Sequence, residues 1–289
     1  MALFVLSLLL QAADTQVGIG WLSWHPSGKQ VLFSAIRTKK DWSDYKQQSW
    51  LLILHNLEDG TDTILDKDVL FADFAPDGKS LVLSKKQGEQ TDLWLRDLET
   101  GEEKNLTQRP ERDSGPHFNR DGSRIAFHAP TPNGLAIFTI KPDGSELTQI
   151  TPNDGFKSYS PRFAPDSDRL LFYLEKGDNM DQIYLTDPAG KNPVNLTHDQ
   201  NHNFFPRWLG PNAIVFARGE EGLFQMDLTT GKTEPFLKGK IAFVAYHSDS
   251  RQLAWFEKTD KGVTLWLATY PGDLAQAKSV WQENQFPLN

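Results

Sequence analysis

The chain contains no cysteine, which excludes disulfide bridges, thiolate metal sites and a cysteine nucleophile. It is also poor in basic residues, because 30 Lys and Arg stand against 38 Asp and Glu and give a formal net charge of −8. Binding to a nucleic-acid backbone needs a dense basic surface, so we expect no nucleic-acid partner. No apolar run reaches the roughly 20 residues of a membrane-crossing helix, and we therefore expect no membrane span.

The sequence lacks the familiar catalytic and cofactor-binding motifs. It has no G-x-S-x-G nucleophile elbow, no H-E-x-x-H, no G-x-G-x-x-G and no P-loop. Its Asp-Gly pairs, such as Asp77-Gly78, lack the regularly spaced oxygen ligands of a calcium loop and are typical of tight hairpin turns. We therefore predict no cofactor and favour a protein without enzymatic activity.

The amino-terminal residues MALFVLSLLLQAADTQ stand outside the rest of the sequence pattern. An apolar run from Ala2 to Leu10 has the length of a secretory hydrophobic segment, and cleavage would fit after Ala13. A buried first strand is the alternative, because no Lys or Arg precedes the run. We predict a signal peptide over residues 1–16, and hence a periplasmic or secreted protein.

The remainder of the chain is a repeat. The stretch FAPDGKSLVLS recurs as FNRDGSRIAFH and FAPDSDRLLFY, with more divergent copies on either side. Each copy opens on an aromatic residue, which we call the anchoring aromatic. The anchoring aromatics are Trp24, Phe74, Phe118, Phe163, Trp208 and Tyr246. Successive anchoring aromatics lie 38–50 residues apart, and a period of this length is typical of solenoids and propellers.

Each repeat predicts four short antiparallel strands. An apolar strand ends at the anchoring aromatic, an alternating strand such as Ser80–Leu83 follows a turn, and two further strands complete the unit. Four such strands make one propeller blade, whose faces are buried only by packing against neighbouring blades. We therefore predict an all-β, six-bladed β-propeller over residues 17–289. Its last outer strand comes from residues 274–283 or, alternatively, from residues 14–20.

The repeats follow the pattern aromatic-x-P-D-G-K, then an apolar strand, then [IL]-[YWF]-[LVT]-x-D and finally [NQ]-[LI]-T. This pattern resembles the propeller repeats of the TolB family. TolB is the periplasmic component of the Tol–Pal system of Gram-negative bacteria. The resemblance covers about residues 18–283 and implies a TolB-like propeller of the cell envelope. TolB carries an α/β domain ahead of its propeller, whereas only about twenty residues precede the first repeat here. The resemblance thus implies a relative with its own partner, an envelope protein or a glycan, and we expect the chain to be a monomer.

The long and dissimilar loops are expected on one face of the propeller, here called the long-loop face. They join the second strand to the third within a blade, and one blade to the next; the Asp-Gly turns lie on the opposite, hairpin face. Aromatic residues beside mixed charges in such loops indicate a binding surface. The expected partner-binding residues are Trp42, Tyr45, Arg112, Asp113, Lys157, Tyr159, His202, Asn203 and Phe204. For Tyr159, Phe204 and the neighbouring Phe205, a role in plugging the channel rim is the alternative.

One polar cluster keeps an enzymatic hypothesis open. His198 and His202, with Asp199 and Asn203, form the one grouping with metal-ligand chemistry, although a spacing of four carries little information in a loop. Propeller lyases resembling oligogalacturonate lyase use a His-rich metal site, and propeller lactonases use a central Ca²⁺. The alternative function is therefore a metal-dependent lyase or lactonase acting on a sugar acid in the central channel. Our expectation is that no metal is bound.

Overall fold

The computed structural model describes residues 14–177 and 180–286. Blade one contains β1 (Thr15–Trp24), β2 (Gln30–Lys39), β3 (Leu51–Asn56) and β4 (Asp62–Lys67). Blade two contains β5 (Val69–Phe74), β6 (Ser80–Gln87), β7 (Gln90–Asp97) and β8 (Glu103–Asn105). Blade three contains β9 (Ser114–Phe118), β10 (Ile125–Thr131), β11 (Gly134–Ile140) and β12 (Thr148–Gln149).

The second half of the chain repeats the same order. Blade four contains β13 (Lys157–Phe163), β14 (Leu170–Glu175), β15 (Gln182–Thr186) and β16 (Val194–Asn195). Blade five contains β17 (Asn203–Gly210), β18 (Ala213–Arg218), β19 (Gly222–Asp227) and β20 (Thr233–Lys238). Blade six contains β21 (Lys240–His247), β22 (Gln252–Thr259), β23 (Gly262–Thr269) and β24 (Lys278–Gln282). Short 3-10 helices cover Tyr45–Gln47, Leu274–Gln276 and Glu283–Gln285.

Each blade is an antiparallel meander, and the first strand of every blade lies next to the first strands of both neighbouring blades. A single parallel bridge, Leu135 to Lys157, additionally links blades three and four. The all-β, six-bladed propeller that the repeat predicts is confirmed. Among residues 14–177 and 180–286, no helix is long and apolar enough to cross a membrane.

The core is divided among the blade interfaces. Each hydrophobic cluster joins residues of two adjacent blades, and the clusters together cover all the interfaces around the ring. Strand β6 shows how alternation produces this arrangement, since Leu81 and Leu83 pack against blade one while Val82 packs against blade three. A strand that is buried on both faces therefore reads as a continuous apolar run.

The repeated [LI]-T motif closes three of the blades. The hydroxyls of Thr107, Thr151 and Thr197 accept hydrogen bonds of 2.8–2.9 Å from backbone amides of the third strand of their own blade. All three threonines are buried. The motif thus supplies an acceptor where the very short fourth strand ends.

The first and last strands of the described chain meet at the interface of blades six and one. Residues 278–282 form the last outer strand, and residues 15–24 form the innermost strand of blade one, which decides between the two alternatives left by the sequence. Thr15 and Gln16, assigned to the signal peptide by the sequence, begin β1. The rest of the predicted signal peptide, residues 1–13, lies outside the described residues.

One carboxylate ties the two ends together. Glu283 accepts a hydrogen bond from the amide of Val17 in β1 at 3.1 Å and another from Val263 in β23 at 3.0 Å. A Cβ at Gly262 would lie 2.5 Å from the Glu283 carboxylate, and Gly262 has a φ of +104°. Glycine is therefore required there for the carboxylate to reach the backbone.

We expect Glu283→Ala to lower the free energy of unfolding by about 2–3 kcal/mol, because two buried amides lose a charged acceptor. Urea denaturation measures the change, and Glu99→Ala, at an exposed turn position, is the control. Glu283→Gln keeps an acceptor and should fall between the two. A Glu283→Ala protein within 0.5 kcal/mol of the unchanged protein would contradict the role assigned to this carboxylate.

Candidate functional site

The innermost strands place one side chain from every blade around the propeller axis. These residues immediately precede the anchoring aromatics, and we call them the axial ring. The axial ring consists of Ser23, Asp73, His117, Arg162, Arg207 and Ala245. They line a cavity of about 650 Å³ in the central channel. Residues of the first hairpin turns, among them Pro26, Pro76 and Asp249, also line it, so it opens on the hairpin face.

Two arginines of the axial ring are buried. Arg162 is 3% and Arg207 7% exposed, and each donates a hydrogen bond to the carbonyl of the preceding proline. Their Cζ atoms lie 4.3 and 4.7 Å from the ring centroid of Trp21, which is the distance of a cation–π contact. The Nη2 atom of each arginine has no hydrogen-bond partner among the described residues.

Asp73 supplies the negative charge of the axial ring. Its carboxylate accepts hydrogen bonds from the Ser23 hydroxyl at 2.7 Å and from the Phe118 amide at 3.1 Å. Burial raises the pKa of Asp73, and these hydrogen bonds and the charges of Arg162 and Arg207 oppose the rise. Within the described residues, no ion pair joins Asp73 to either arginine within 4.0 Å. The two guanidinium groups are therefore not neutralised by direct contact.

His117 completes the polar part of the axial ring. Its Nδ1 accepts a hydrogen bond from the Phe163 amide at 3.2 Å. Burial and the neighbouring arginines hold the pKa of His117 well below its ordinary value, so its ring is neutral at physiological pH. The cavity thus combines two guanidinium groups, one carboxyl group and a neutral imidazole.

A closed circuit of aromatic side chains in mostly edge-on or tilted contact, here called the aromatic ring, stands between this cavity and the long-loop face. Neighbouring members have centroids 5.1–6.4 Å apart, and the circuit returns to its starting point. Its members, in order, are Trp21, Phe71, His128, Tyr159, Tyr173, Phe205 and Phe243. Only Trp21 among them lines the cavity, which therefore ends at Trp21 and the two arginines.

Blade three contributes to the aromatic ring from a different strand. Four of the other innermost strands carry an aromatic residue three positions before the anchoring aromatic, whereas blade three has Gly115 there. A Cβ at Gly115 would lie 2.7 Å from the His128 ring, so the glycine leaves the space that His128 of β10 fills. Burial lowers the pKa of His128 to about 3, with the charge of Arg162 adding to the effect.

The blade-one loop on the long-loop face is ordered by Asp44. Its carboxylate accepts hydrogen bonds from the Thr38 hydroxyl at 2.5 Å and from the Lys39 amide at 2.8 Å. Trp42 is 40% and Tyr45 46% exposed. The Trp42 indole nevertheless rests on Gly18, where a Cβ would lie 2.3 Å from its ring. Its orientation is thus fixed before any partner binds.

The other predicted contact residues on the long-loop face differ in accessibility. Exposed Arg112 pairs with Glu89 at 3.4 Å, and exposed Lys157 pairs with Glu175 at 2.8 Å. Asp113 is fully buried and pairs with Arg109 at 3.0 Å. Burial raises the pKa of Asp113 to about 6. Asp113 therefore orders the loop and does not itself face a partner.

Blades four and five bring three of the predicted residues into one cluster. Tyr159 stacks on Tyr173 at 5.1 Å between centroids, and Phe204 contacts both Phe205 at 5.1 Å and His202 at 4.6 Å. All three predicted residues are half-buried. For Tyr159, the alternative that it fills the channel beneath the rim agrees with its place in the aromatic ring. Asn203 is fully buried: its Nδ2 donates to the Asp199 carboxylate at 2.8 Å, and its Oδ1 accepts from Arg218.

The histidine cluster considered for metal binding is dispersed. His202 faces Asp181 at 3.3 Å, Asp199 pairs with Arg218 at 2.7 Å, and His198 is exposed. Within residues 14–177 and 180–286, no group of three or more His, Asp or Glu is arranged to hold a metal ion.

The axial ring was not predicted from the sequence, although its residues occupy the same position in every repeat. In every repeat, the residue just before the anchoring aromatic points to the propeller axis. Arginine, aspartate and histidine at that position, one strand residue away from a core aromatic, mark a polar channel. The cavity consequently lies on the hairpin face, whereas the sequence favoured the long-loop face for binding.

Comparison with known proteins agrees with this architecture. No protein-family model matches the chain. TolB of Wolinella succinogenes is 36% identical over 78 residues, which are 27% of this chain and 18% of that protein. The crystal structure of TolB from Acinetobacter baumannii superposes with a TM-score of 0.67 at 15% identity, covering 89% of this chain and 61% of that one. The fold is TolB-like.

The same architecture occurs in proteins of other function. Oligogalacturonate lyase from Vibrio parahaemolyticus superposes with a TM-score of 0.62 at 14% identity, covering 93% of this chain and 79% of the lyase. The chain spans half or less of the length of the curated relatives that it matches. At these identities the structural likeness describes the fold, and function must be argued from the site.

The aromatic ring predicts a measurable pH dependence. The pKa of His128 is about 3 when folded and about 6.5 in an unfolded chain, so only the unfolded state takes up this proton between these values. Stability from this residue is complete above pH 6.5 and is lost as the pH falls towards 3. We expect the unchanged protein to lose about 1–2 kcal/mol more than His128→Phe between pH 7 and pH 5.

Urea denaturation at the two pH values measures this difference. Phe71→Leu perturbs the packing of the same aromatic ring without removing a titratable group, and it should keep the pH dependence of the unchanged protein. Equal losses in the unchanged protein and His128→Phe would contradict a neutral, buried His128.

Proposed function

We propose that this chain is a non-enzymatic, exported TolB-like propeller that binds an envelope protein or glycan on its long-loop face. The observation that carries the proposal is the pair of exposed aromatic side chains, Trp42 and Tyr45, on a loop held by its own hydrogen bonds. Exposed aromatic residues in an otherwise charged loop provide the apolar anchor that protein interfaces use. The β-propeller serves as the rigid platform for this loop.

Order in the loop before binding supports this role. Asp44 also accepts a hydrogen bond from the Gln48 side chain at 3.1 Å, and hydrogen bonds of the loop backbone lower the pKa of Asp41. A loop that is already ordered loses little conformational entropy when a partner binds. The aromatic side chains can therefore contribute most of their buried area to affinity.

The contact residues lie on opposite sides of the long-loop face. Trp42 and Tyr45 belong to blade one, whereas His202 and Phe204 lie where blade four is followed by blade five. In a ring of six blades, blade four is directly across the axis from blade one. A partner that contacts both groups must extend over the channel rim, which favours a folded protein over a small ligand. By similarity to the Tol-Pal system protein TolB, the first candidate is an envelope protein of the Tol-Pal kind.

The test compares capture by the unchanged protein and by Trp42→Ala/Tyr45→Ala. Envelope extract is the probe, and the captured partner is then purified. We expect the double variant to bind the captured partner at least tenfold more weakly, because two anchor residues are lost. Affinity is measured by surface plasmon resonance with the immobilised propeller.

A matched control separates anchoring from general surface change. Ile64→Ala removes an apolar side chain that is 44% exposed in the same blade, and it should bind as the unchanged protein does. Thermal denaturation confirms that all variants are folded. Equal capture by the double variant and the unchanged protein would argue against the blade-one loop, and absence of any captured partner would argue against the proposal itself.

The alternative is a lyase or lactonase that acts on a sugar acid in the channel. It is favoured by the two arginines in a cavity and by the structural likeness to oligogalacturonate lyase, one structure of which contains manganese. Incubation with oligogalacturonate and Mn²⁺, followed by absorbance of the unsaturated product, tests it. Turnover that Arg207→Gln abolishes would replace the binding proposal with an enzymatic one.

A further inference from the structure

The inner end of the cavity holds an unusual group of unpaired donors. The Nη2 atoms of Arg162 and Arg207 and the Nε1 atom of Trp21 are all buried without a hydrogen-bond partner among the described residues. All three residues line the cavity. Buried donors are nearly always paired in folded proteins, so a cluster of unpaired ones needs an explanation.

The energetic cost of this arrangement is considerable. A buried charge without a counterion is costly, and here two like charges lie on the same indole ring. Contact with Trp21 and one carbonyl for each guanidinium offset only part of that cost. Burial and mutual repulsion accordingly lower the pKa of Arg162. An anion placed between the arginines would relieve both effects.

We propose that the inner end of this cavity binds a carboxylate group, held by Arg162 and Arg207. A planar carboxylate matches the paired N–H donors of a guanidinium group. The site is separate from the binding surface on the long-loop face, and it does not depend on the function proposed above. It opens on the hairpin face, beyond the aromatic ring.

The charge balance favours a monoanion. Two arginines and Asp73 leave one net positive charge in the axial ring when Asp73 is ionised. A carboxylate neutralises this charge, whereas a phosphate dianion would exceed it and be repelled by Asp73. The carboxylate oxygens of Asp73 can also accept a hydrogen bond from a hydroxyl or amide group of the same ligand.

The cavity also sets the size and character of the ligand. The small side chains of Ser23 and Ala245 lie on adjacent blades, and Ser23 faces Arg162 across the axis, so free space remains beside the guanidinium groups. The anchoring aromatics Trp24, Phe74 and Phe163 line the walls. A volume of about 650 Å³ is that of a small-molecule site, and it also fits the end of a peptide. The carboxylate therefore belongs to a free organic acid or to a peptide.

The experiment compares matched pairs of probes on the unchanged protein by isothermal titration calorimetry. The first pair is D-galacturonate and D-galactose, which represents a free acid and its neutral counterpart. The second is N-acetyl-Ala-Phe-Ala-Phe with a free carboxyl terminus and with an amidated one. We expect at least one acid to bind tenfold or more tightly than its neutral counterpart, and the pair that does so identifies the source. Inorganic phosphate should bind more weakly than that acid.

Variants then assign the interaction to the two arginines. Arg162→Gln and Arg207→Gln should each weaken binding of the acid at least tenfold. Arg120→Gln removes an exposed arginine at the cavity mouth, and binding should stay within twofold of the unchanged protein. Arg207→Lys keeps the charge without the paired donors and serves if the glutamine variants do not fold. The probe comparison itself needs no variant.

Three results would overturn the proposal. The first is equal binding of acids and their neutral counterparts, or no binding of either acid. The second is tighter binding of phosphate than of any carboxylate. The third is undiminished binding of the acid by a folded Arg207→Gln protein.

Discussion

The contact between blade six and blade one is the constraint on which the rest of the propeller depends. The other blade interfaces join neighbouring stretches of chain, whereas this one joins residues as far apart as Val17 and Glu283, 266 positions away in the sequence. Closing so long a loop costs conformational entropy that only a well-packed interface offsets. Phe33, Phe256 and Trp281 meet there with centroids 5.1–5.9 Å apart, and the Glu283 carboxylate joins the two sheets.

Closure also determines the chemistry of the central channel. Once the ring is closed, the innermost strands converge and the axial ring is forced into one small space. Core packing requires similar anchoring aromatics in every blade, but it places no such demand on the residue before them. That position is therefore free to differ, and it carries a serine, an aspartate, a histidine, two arginines and an alanine. Polar groups that a single sheet would leave in water are thereby buried together.

The sequence predicts much of the fold, because local residue patterns in each repeat indicate its strands and turns. The Asp77-Gly78 turn is found as expected, with Gly78 at a φ of +70° and the Asp77 carboxylate accepting from the Lys79 amide at 2.9 Å. The exposure of Trp42 and Tyr45 is likewise local, since their loop offers few apolar neighbours. These features depend on residues that are close in the chain.

The remaining features depend on contacts between distant residues and could not be read in this way. The burial of Asp113 and Asn203 results from partners that only the fold brings near them. The place of His128 in the aromatic ring depends on the absence of a side chain at Gly115, in the neighbouring strand. The depth of the cavity depends on the position of the aromatic ring, which bounds its inner end. In each case the pattern of one blade is insufficient, because the site is shared by several blades.

The aromatic ring gives the two faces of the propeller different chemistry. On one side Trp21 carries the buried guanidinium groups, and on the other Phe205 contacts Phe204 near the long-loop face. A large partner suits the long-loop face, where Trp42 and Tyr45 are exposed on one side of the rim and the half-buried Phe204 lies on the other. A small acidic group suits the hairpin face, where charge is concentrated at the bottom of a cavity. Because the aromatic ring stands between the two proposed sites, a ligand at one would not occupy the other, and simultaneous binding would need no rearrangement of the channel.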